Sequence, residues 1–371
     1  RKVKGRMIGY GIIGCGYAGR IHADNLEKLP EVRLVAVFDT DYERMRAFAQ
    51  ERGASMASSI EELCGDKEVA AVIITTPNNS HVIPAICAAK AGKHVFCEKP
   101  VALSLKDTKE MLDSAKKSGV HFFAAHTTNF IRGVETAKAL LASGAIGKLL
   151  MIEAVHTDWA GPQQSIGWKQ MKTISGGHLY HHMHEIDLIC QLTGLPVSVY
   201  ANGMNLVHHG TGYGDEEDAV FLNMKLSGGG FASLVIGSAF HLGDHFVKLQ
   251  GKTGGILLDF KNSVVQLENA QGKTLYSMQE NESEDEERRN EYQKNKQDAG
   301  KGFGKPGMKT SSWMSTIFYK ELLCFHNIIK TGNADPQYKS LLDGSAAYNC
   351  VKVLDGARES VVSGLPVRLE E

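Results

Sequence analysis

Met7-Ile8-Gly9-Tyr10-Gly11-Ile12-Ile13-Gly14-Cys15-Gly16-Tyr17-Ala18-Gly19 decides the fold. The apolar run Met7 to Ile13 predicts a strand, and Arg20 to Leu29 predicts the helix that follows it. Between them, Gly14-Cys15-Gly16-Tyr17-Ala18-Gly19 has the spacing G-x-G-x-x-G. Its first glycine permits a tight turn, the second lets a pyrophosphate approach the backbone, and the third lets helix and strand pack closely. The helix N-terminus then faces the phosphates. Arg33 to Phe38 is the next strand, and Asp39 ends it about 20 residues beyond Gly19, the spacing at which an acidic side chain meets ribose hydroxyls. Such a group repels a 2′-phosphate, so the expected cofactor is NAD rather than NADP.

Working outward, strand and helix patterns alternate up to residue 125. Thr40 to Arg52 reads as helix, Val69 to Thr75 as strand and His81 to Ala91 as helix. Val95 to Cys97 reads as strand, Ser104 to Ser118 as helix and His121 to Ala125 as strand. This rhythm predicts an α/β fold with a doubly wound parallel sheet. Ligands of such sheets sit at the carboxyl ends of the strands. Two segments fall there: Thr76-Pro77-Asn78 with His81, and Glu98-Lys99-Pro100. Glu98 and Lys99 therefore aim at the cofactor crevice, with the proline stiffening the turn behind them.

After residue 126 the rhythm changes. A helix (Glu135 to Ser143), a strand (Leu149 to His156) and a loop carrying Trp159 and Trp168 precede a helix near Leu179 to Leu192. Strand-like runs follow at 197–204, 219–226, 231–239, 246–250 and 256–260, joined by Gly-rich turns that read as antiparallel hairpins. The predicted organisation is a nucleotide-binding domain over 1–126 and an α+β domain with an open, mostly antiparallel sheet over 127–371. Whether the last helix packs back on the first domain is left open. Residues 279–312 are a charge-dense insertion, read as a solvated excursion or an arm to another subunit. Ser283 with Glu286 predicts a capped short helix supported by Glu284–Arg288 and Asp285–Arg289 pairs, and Gly300 to Gly307 a loop.

Composition narrows the partners. The 371 residues suit two domains, and 43% hydrophobic with 22% charged residues is ordinary for a globular protein. A formal net charge of -1 gives no electrostatic case for nucleic acid or an acidic membrane. Seven scattered cysteines with no C-x-x-C pair argue for reduced thiols and a cytoplasmic location. No apolar run is long enough for a membrane span. The start Arg1-Lys2-Val3-Lys4 lacks the apolar core of a signal peptide, and the absence of an initial Met leaves a removed leader open.

The second concentrated stretch is Gly177-His178-Leu179-Tyr180-His181-His182-Met183-His184-Glu185-Ile186-Asp187. Continued as one helix, it aligns Tyr180, His184 and Asp187 in a row, with His181 beside His184. A histidine can exchange a proton near neutral pH. Pairs such as His178 with His182, or His181 with Glu185, have the spacing of zinc helices, and a purely structural polar face is the third reading. The acid–base reading is preferred, with no metal, because hydride chemistry on an upstream nucleotide fold needs a proton acceptor.

Together these motifs resemble the glucose–fructose oxidoreductase / inositol dehydrogenase / rhizopine-catabolism (Gfo/Idh/MocA) family. The resemblance covers nearly the whole chain and includes Ala91-Gly92-Lys93-His94-Val95, His184-x-x-Asp187 and Gly251-x-x-Gly254. It implies a tightly bound NAD(P), a sugar, glycoside or cyclitol substrate, and a homodimer or homotetramer formed through the C-terminal sheet. It also implies Lys99 as the catalytic lysine, a cis Lys99–Pro100 bond, and His184 as the proton acceptor. Asp187 would orient His184. Where many family members carry an aspartate this chain has Tyr180, so the division of labour between Tyr180 and His184 stays open. Trp159, Trp168, Asn129, Arg132 and His181 complete the candidate substrate contacts. A glycosidase that oxidises its sugar transiently and a non-catalytic sensor are the alternative functions.

Overall fold

The computed structural model describes residues 7–294 and 310–369, and the elements counted below are those of the described residues. By its contacts the chain divides into two compact units, 1–126 with 318–348, and 127–317 with 349–371.

In the first unit the strands are β1 (Ile8–Ile13), β2 (Val32–Phe38), β3 (Ser55–Met56), β4 (Ala71–Ile74), β5 (His94–Glu98) and β6 (Phe122–Ala125). They form one parallel sheet in the order β3-β2-β1-β4-β5-β6. Its helices are α1 (Tyr17–Leu26), α2 (Tyr42–Arg52), α3 (Ile60–Gly65), α4 (Val82–Lys90) and α5 (Leu105–Ser118). This is the doubly wound order that reverses between β1 and β4. The central strands are apolar on both faces because helices cover both: Ile12, Ile73, Ile74, Val95 and Phe96 are fully buried. Asp41 caps α2 by accepting from the Arg44 N–H, and Gly53 ends that helix in the left-handed region.

The second unit begins with α6 (Arg132–Ala142) and β7 (Leu149–Thr157), followed by the short α7 (Lys172–Ser175), α8 (His178–His181) and then α9 (His184–Thr193). Strands β8 (Ser198–Met204), β9 (Ala219–Lys225), β10 (Phe231–Gly237), β11 (His245–Gly251), β12 (Gly254–Asp259), β13 (Val264–Asn269) and β14 (Gly272–Ser277) come next. After α10 (Glu282–Lys294), α11 (Ser312–Thr331), α12 (Lys339–Leu342) and α13 (Ser345–Ser363), β15 (Val367–Arg368) ends the described chain. The nine strands run β14-β13-β12-β11-β7-β10-β9-β8-β15. All neighbours are antiparallel except β10 and β7, which pair parallel with Val235 opposite Val155. Ile152 and Ala154 of β7 and Val247 and Leu249 of β11 alternate inward and are buried.

Three expectations change. The helix predicted over Leu179 to Leu192 is two helices, because His182 leaves helical geometry at φ -102, ψ 46. The insertion is no solvated excursion over its described part. In α10, Glu284 and Asp285 are buried, and Asp285 accepts from the Ser263 hydroxyl (2.6 Å) and the Gln279 N–H (2.9 Å). The cap is Asn281, whose Oδ1 accepts from the Glu284 N–H at 3.0 Å, in place of Ser283. Arg289 pairs with Glu282 rather than Asp285, and Glu284 accepts from the Thr316 hydroxyl instead of pairing with Arg288. The loop expected at Gly300 to Gly307 lies outside the described residues.

Candidate active site

The nucleotide cradle is built from backbone. Gly14 sits at φ +103, and a Cβ there would meet the Thr75 and Thr76 main chain at 2.7–2.8 Å. At Gly19 it would meet the Gly14 carbonyl at 2.2 Å. At Gly16 it would meet nothing within 4 Å, so the open space lies directly over the first turn of α1. Gly16 is the N-cap of α1 and offers no side-chain cap, which leaves that turn's N–H groups for an anion. Tyr17 and Ala18 form the first residues of that turn. Beside them, Asp39 accepts from the Cys15 N–H (2.8 Å) and the Asp41 N–H (2.8 Å), so its carboxylate is fixed at the end of β2. Burial, aided by Asp39, pushes the Cys15 thiol up to about 12, making it an inert part of the turn. An open glycine face, a helix N-terminus without a side-chain cap and a fixed carboxylate at the end of β2 fit a dinucleotide.

At the ends of β4 and β5 the second group expected to face the cofactor is tied together by histidines. The Glu98 Oε1 lies 2.8 Å from the Nε2 of buried His22, and its Oε2 accepts from the Lys99 N–H at 3.1 Å. Burial opposes the Glu98 charge, but His22 outweighs it and holds the carboxyl below its usual range. The Lys99–Pro100 bond is cis. His81 bridges the two strand ends, one ring nitrogen 2.9 Å from the Thr76 carbonyl and the other 2.9 Å from the Pro100 carbonyl. A carbonyl only accepts, so the neutral ring that burial favours serves one of them at a time. Asn78, in the turn between β4 and α4, is buried.

In the second unit the helix break separates the residues that the sequence aligned. Tyr180 ends up fully buried, its hydroxyl donating to Asp355, and burial followed by the Asp355 charge raises its pKa. His184 starts α9 half-buried, its Nδ1 3.1 Å from the Thr128 hydroxyl. Asp187 is 1% exposed and accepts from Asn129 (2.8 Å) and Gln191 (3.2 Å), and Asn129 accepts in turn from Lys138 (2.5 Å). Arg132 is exposed, donating to the Glu280 carbonyl. Trp159 stacks on His241 with centroids 3.7 Å apart, and Trp168 stands edge-on to His181 at 6.3 Å.

Glu185 points the other way, into the sheet. One of its oxygens is 3.0 Å from the Nδ1 of His156 and 3.0 Å from the Nε2 of His245. These histidines are direct register partners across β7 and β11, and their rings stack at 3.7 Å and 9°. Burial opposes a charge on Glu185, but His156 and the two hydrogen bonds leave its carboxyl well below the usual range. His156 is held above its usual value by that carboxylate despite burial. Burial, with His156 alongside, pushes His245 down to about 3.

Residues 8–126 match the family described as "Oxidoreductase family, NAD-binding Rossmann fold", and residues 138–369 match its C-terminal alpha/beta domain. The chain belongs to the Gfo/Idh/MocA oxidoreductase family. It is similar to proteins named 2,7-anhydro-N-acetylneuraminate hydratase from Escherichia coli (strain K12) and Mediterraneibacter gnavus, each 36% identical. The matches cover 98% and 99% of this chain and 98% of each relative. In fold it is similar to levoglucosan dehydrogenase solved with NADH and levoglucosan, at a TM-score of 0.80 and 21% identity, covering 99% of this chain and 100% of that one.

Within the Gfo/Idh/MocA frame, the NAD-binding domain carries the glycine cradle, Asp39, Thr76, Pro77, Asn78, His81, Glu98 and Lys99, all at the carboxyl end of its sheet. Sequence reasoning missed His156 and His245. The available signal was the inward alternation of β7 and β11, which places both histidines on the buried face. The His156, Glu185 and His245 ligand atoms are close enough for a metal, all within 4.8 Å of one another. The nitrogens of both rings converge on a single Glu185 oxygen at 3.0 Å each, so they are engaged in hydrogen bonds to that carboxylate. Among the described residues no helix is long and apolar enough to cross a membrane.

Proposed function

We propose that this protein is a redox-neutral hydratase of an anhydro-sugar acid such as 2,7-anhydro-N-acetylneuraminate, working by transient oxidation of a substrate hydroxyl. The observation that carries the reading is 36% identity over nearly the full length of two hydratases of that name. The intact cradle at Gly14, Gly16 and Gly19 supports it, because adding water across an ether bridge needs no nucleotide unless a hydride leaves and returns.

Held by Gly14–Gly19 and Asp39, NAD supplies a reversible hydride acceptor. His184 takes the proton of a hydroxyl two carbons from the carbon carrying the bridging oxygen. Lys99, as an ammonium, stabilises negative charge on that oxygen while it becomes a carbonyl. The carbonyl acidifies the C–H between the two carbons. Loss of that proton then expels the bridging oxygen, which leaves protonated as a free hydroxyl. Water adds to the resulting conjugated double bond, and His184 gives its proton back to the oxygen as the original hydroxyl is restored by the hydride that bound NAD would supply. The balance is substrate plus water, with no net change in oxidation state. Lys99 and His184 are assigned from the motifs Glu98-Lys99-Pro100 and His184-x-x-Asp187. Tyr180, with its hydroxyl committed to Asp355, is left out of the proton path.

The test incubates the protein with 2,7-anhydro-N-acetylneuraminate and a catalytic amount of NAD. Chromatography should find N-acetylneuraminate in excess over NAD, with no lasting absorbance of reduced cofactor. Stoichiometric NADH with a keto product would show a net dehydrogenase instead. No turnover of this compound, alongside NADH formation from a neutral polyol or cyclitol, would return the assignment to sugar dehydrogenase.

A further inference from the structure

The guanidinium of Arg288 stands out. It projects from α10 and lies over the rings of Trp313 (4.5 Å) and Tyr292 (5.4 Å). Among the described residues no hydrogen bond or ion pair holds it, and Glu284, Glu287 and Glu291 on the same helix are all engaged elsewhere. Burial lowers the pKa of this guanidinium, and the charges of Tyr292 and Glu291 offset that only in part, which is uncommon for an arginine with no carboxylate in hydrogen-bond contact. Its positive field reaches both His156 and His245, opposing the rise that Glu185 causes in the first and adding to the fall that burial causes in the second. The carboxylate beside His156, Glu185, is already shared with His245. Asp158 also faces His156 and Tyr292, but it has a partner of its own.

A second observation ties this place to the substrate side. From His156 a chain of ring contacts runs to His182 (5.2 Å), on to His181 (5.0 Å) and then to Trp168 (6.3 Å). His156 keeps a quarter of its side chain exposed. The arginine therefore stands at one end of an accessible imidazole wall whose other end holds candidate sugar contacts.

We propose that Arg288 is the carboxylate-recognising residue of this enzyme, a specificity determinant carried by α10. Its planar fork matches a carboxylate through two parallel N–H···O bonds. The choice of a carboxylated sugar rests on the hydratase reading, while the unpaired guanidinium stands independently of it.

The experiment measures binding by calorimetry with NAD present, using N-acetylneuraminic acid and 2,7-anhydro-N-acetylneuraminate, each beside its methyl ester. The acids should bind about 10- to 100-fold tighter than the esters, as a charged hydrogen-bonded pair implies. Arg288→Gln should erase that preference while leaving ester affinity unchanged, and Arg288→Lys should keep only part of it. Where turnover is measurable, Arg288→Gln should raise KM and leave kcat within about threefold. Equal affinity of acid and ester in the wild type would overturn the proposal. So would a preference that survives in a folded Arg288→Gln, or failure of every acid to bind. If Arg288→Gln does not fold, Arg288→Lys with undiminished preference for the acid overturns it, and a reduced preference supports it. Tight, Arg288-dependent acid binding without hydration keeps this proposal and removes the hydratase reading. Hydration that is indifferent to Arg288→Gln does the reverse.

Discussion

At the scale of single residues, position within the fold separates chemistry from support. Lys99→Ala and His184→Ala should each lower turnover by about 100-fold or more, the usual loss for an acid–base or charge-stabilising group, and steady-state rates with purified variants check it. Tyr180→Phe should behave differently. Its hydroxyl is buried against Asp355, so the variant should lose about 1–3 kcal/mol of stability in urea titration and keep kcat near wild type. A collapse of kcat in folded Tyr180→Phe would show the tyrosine to be the base. Sequence alone could not separate the two, because spacing treats Tyr180 and His184 as neighbours on one helix. The helix break that parts them at His182 has no glycine or proline to announce it. Asp39, by contrast, was legible from spacing, and the structure fixes its carboxylate with two main-chain donors. Asp39→Ser should reduce NAD affinity by about tenfold, one hydrogen-bonding group's worth. It should also narrow discrimination against NADP, since Arg44, 3.5 Å from Asp39 and 2.9 Å from Asp41, would then lose one of its two acidic neighbours beside the 2′-phosphate. Fluorescence titration with both cofactors measures it. Dialysis against a strong chelator should leave activity intact, and loss restored by zinc would make the His156–Glu185–His245 group a metal centre.

At the scale of elements, α10 is fastened from beneath. Asp285→Ala should cost about 2–3 kcal/mol, because it strips partners from the buried Ser263 hydroxyl and Gln279 N–H, and chemical denaturation reads the loss directly. The insertion looked solvated in the sequence because its charges outnumber its apolar residues. Charge density does not reveal that Asp285 turns inward, since the groups it satisfies lie on a different segment. The alternating βαβ segments and the two Gly-rich hairpins were legible, as their periods are local. Pairing of His156 with His245 was not, because a register is set by strands distant in sequence. The buried histidines also give a pH signature. Burial first, then His156, pushes both His178 and His245 down to about 3. In the unfolded chain each takes a proton near its ordinary value of ~6.5. Stability is therefore intact above ~6.5 and falls as pH drops toward about 3, by ~1.4 kcal/mol per pH unit for each ring. Glu216, raised to about 8 by burial, works in the opposite sense between ~4.5 and about 8. The informative quantity is thus a difference: His178→Asn should flatten the slope between pH 6 and 5 by about one ring's share. An unchanged slope would mean that His178 is protonated in the native state.

At the scale of the whole molecule, cofactor and stability are linked. NAD binds the folded chain and not the unfolded one, so saturation to 100 times its Kd should add about 2.7 kcal/mol. A scanning melt with NAD, and again with NADP at equal concentration, should show the larger rise for NAD.

One topological feature has a temporal side. β7 lies in the middle of its sheet, yet both its partners come much later: Val155 pairs with Val235 on one edge and Phe246 on the other. During synthesis, then, β7 emerges long before either neighbour exists, with Leu150, Met151 and Ile152 in its sequence. Pairing across such a separation closes a long loop before any contact rewards it, which slows folding and prolongs exposure of an unpaired strand. A ribosome-stalled chain ending before Phe231 should keep β7 open to protease and to chaperone, and one extended past Gly251 should protect it. The same detour that carries the chain through Trp168, His181 and Glu185 thus delays the pairing of the strand at the middle of this sheet.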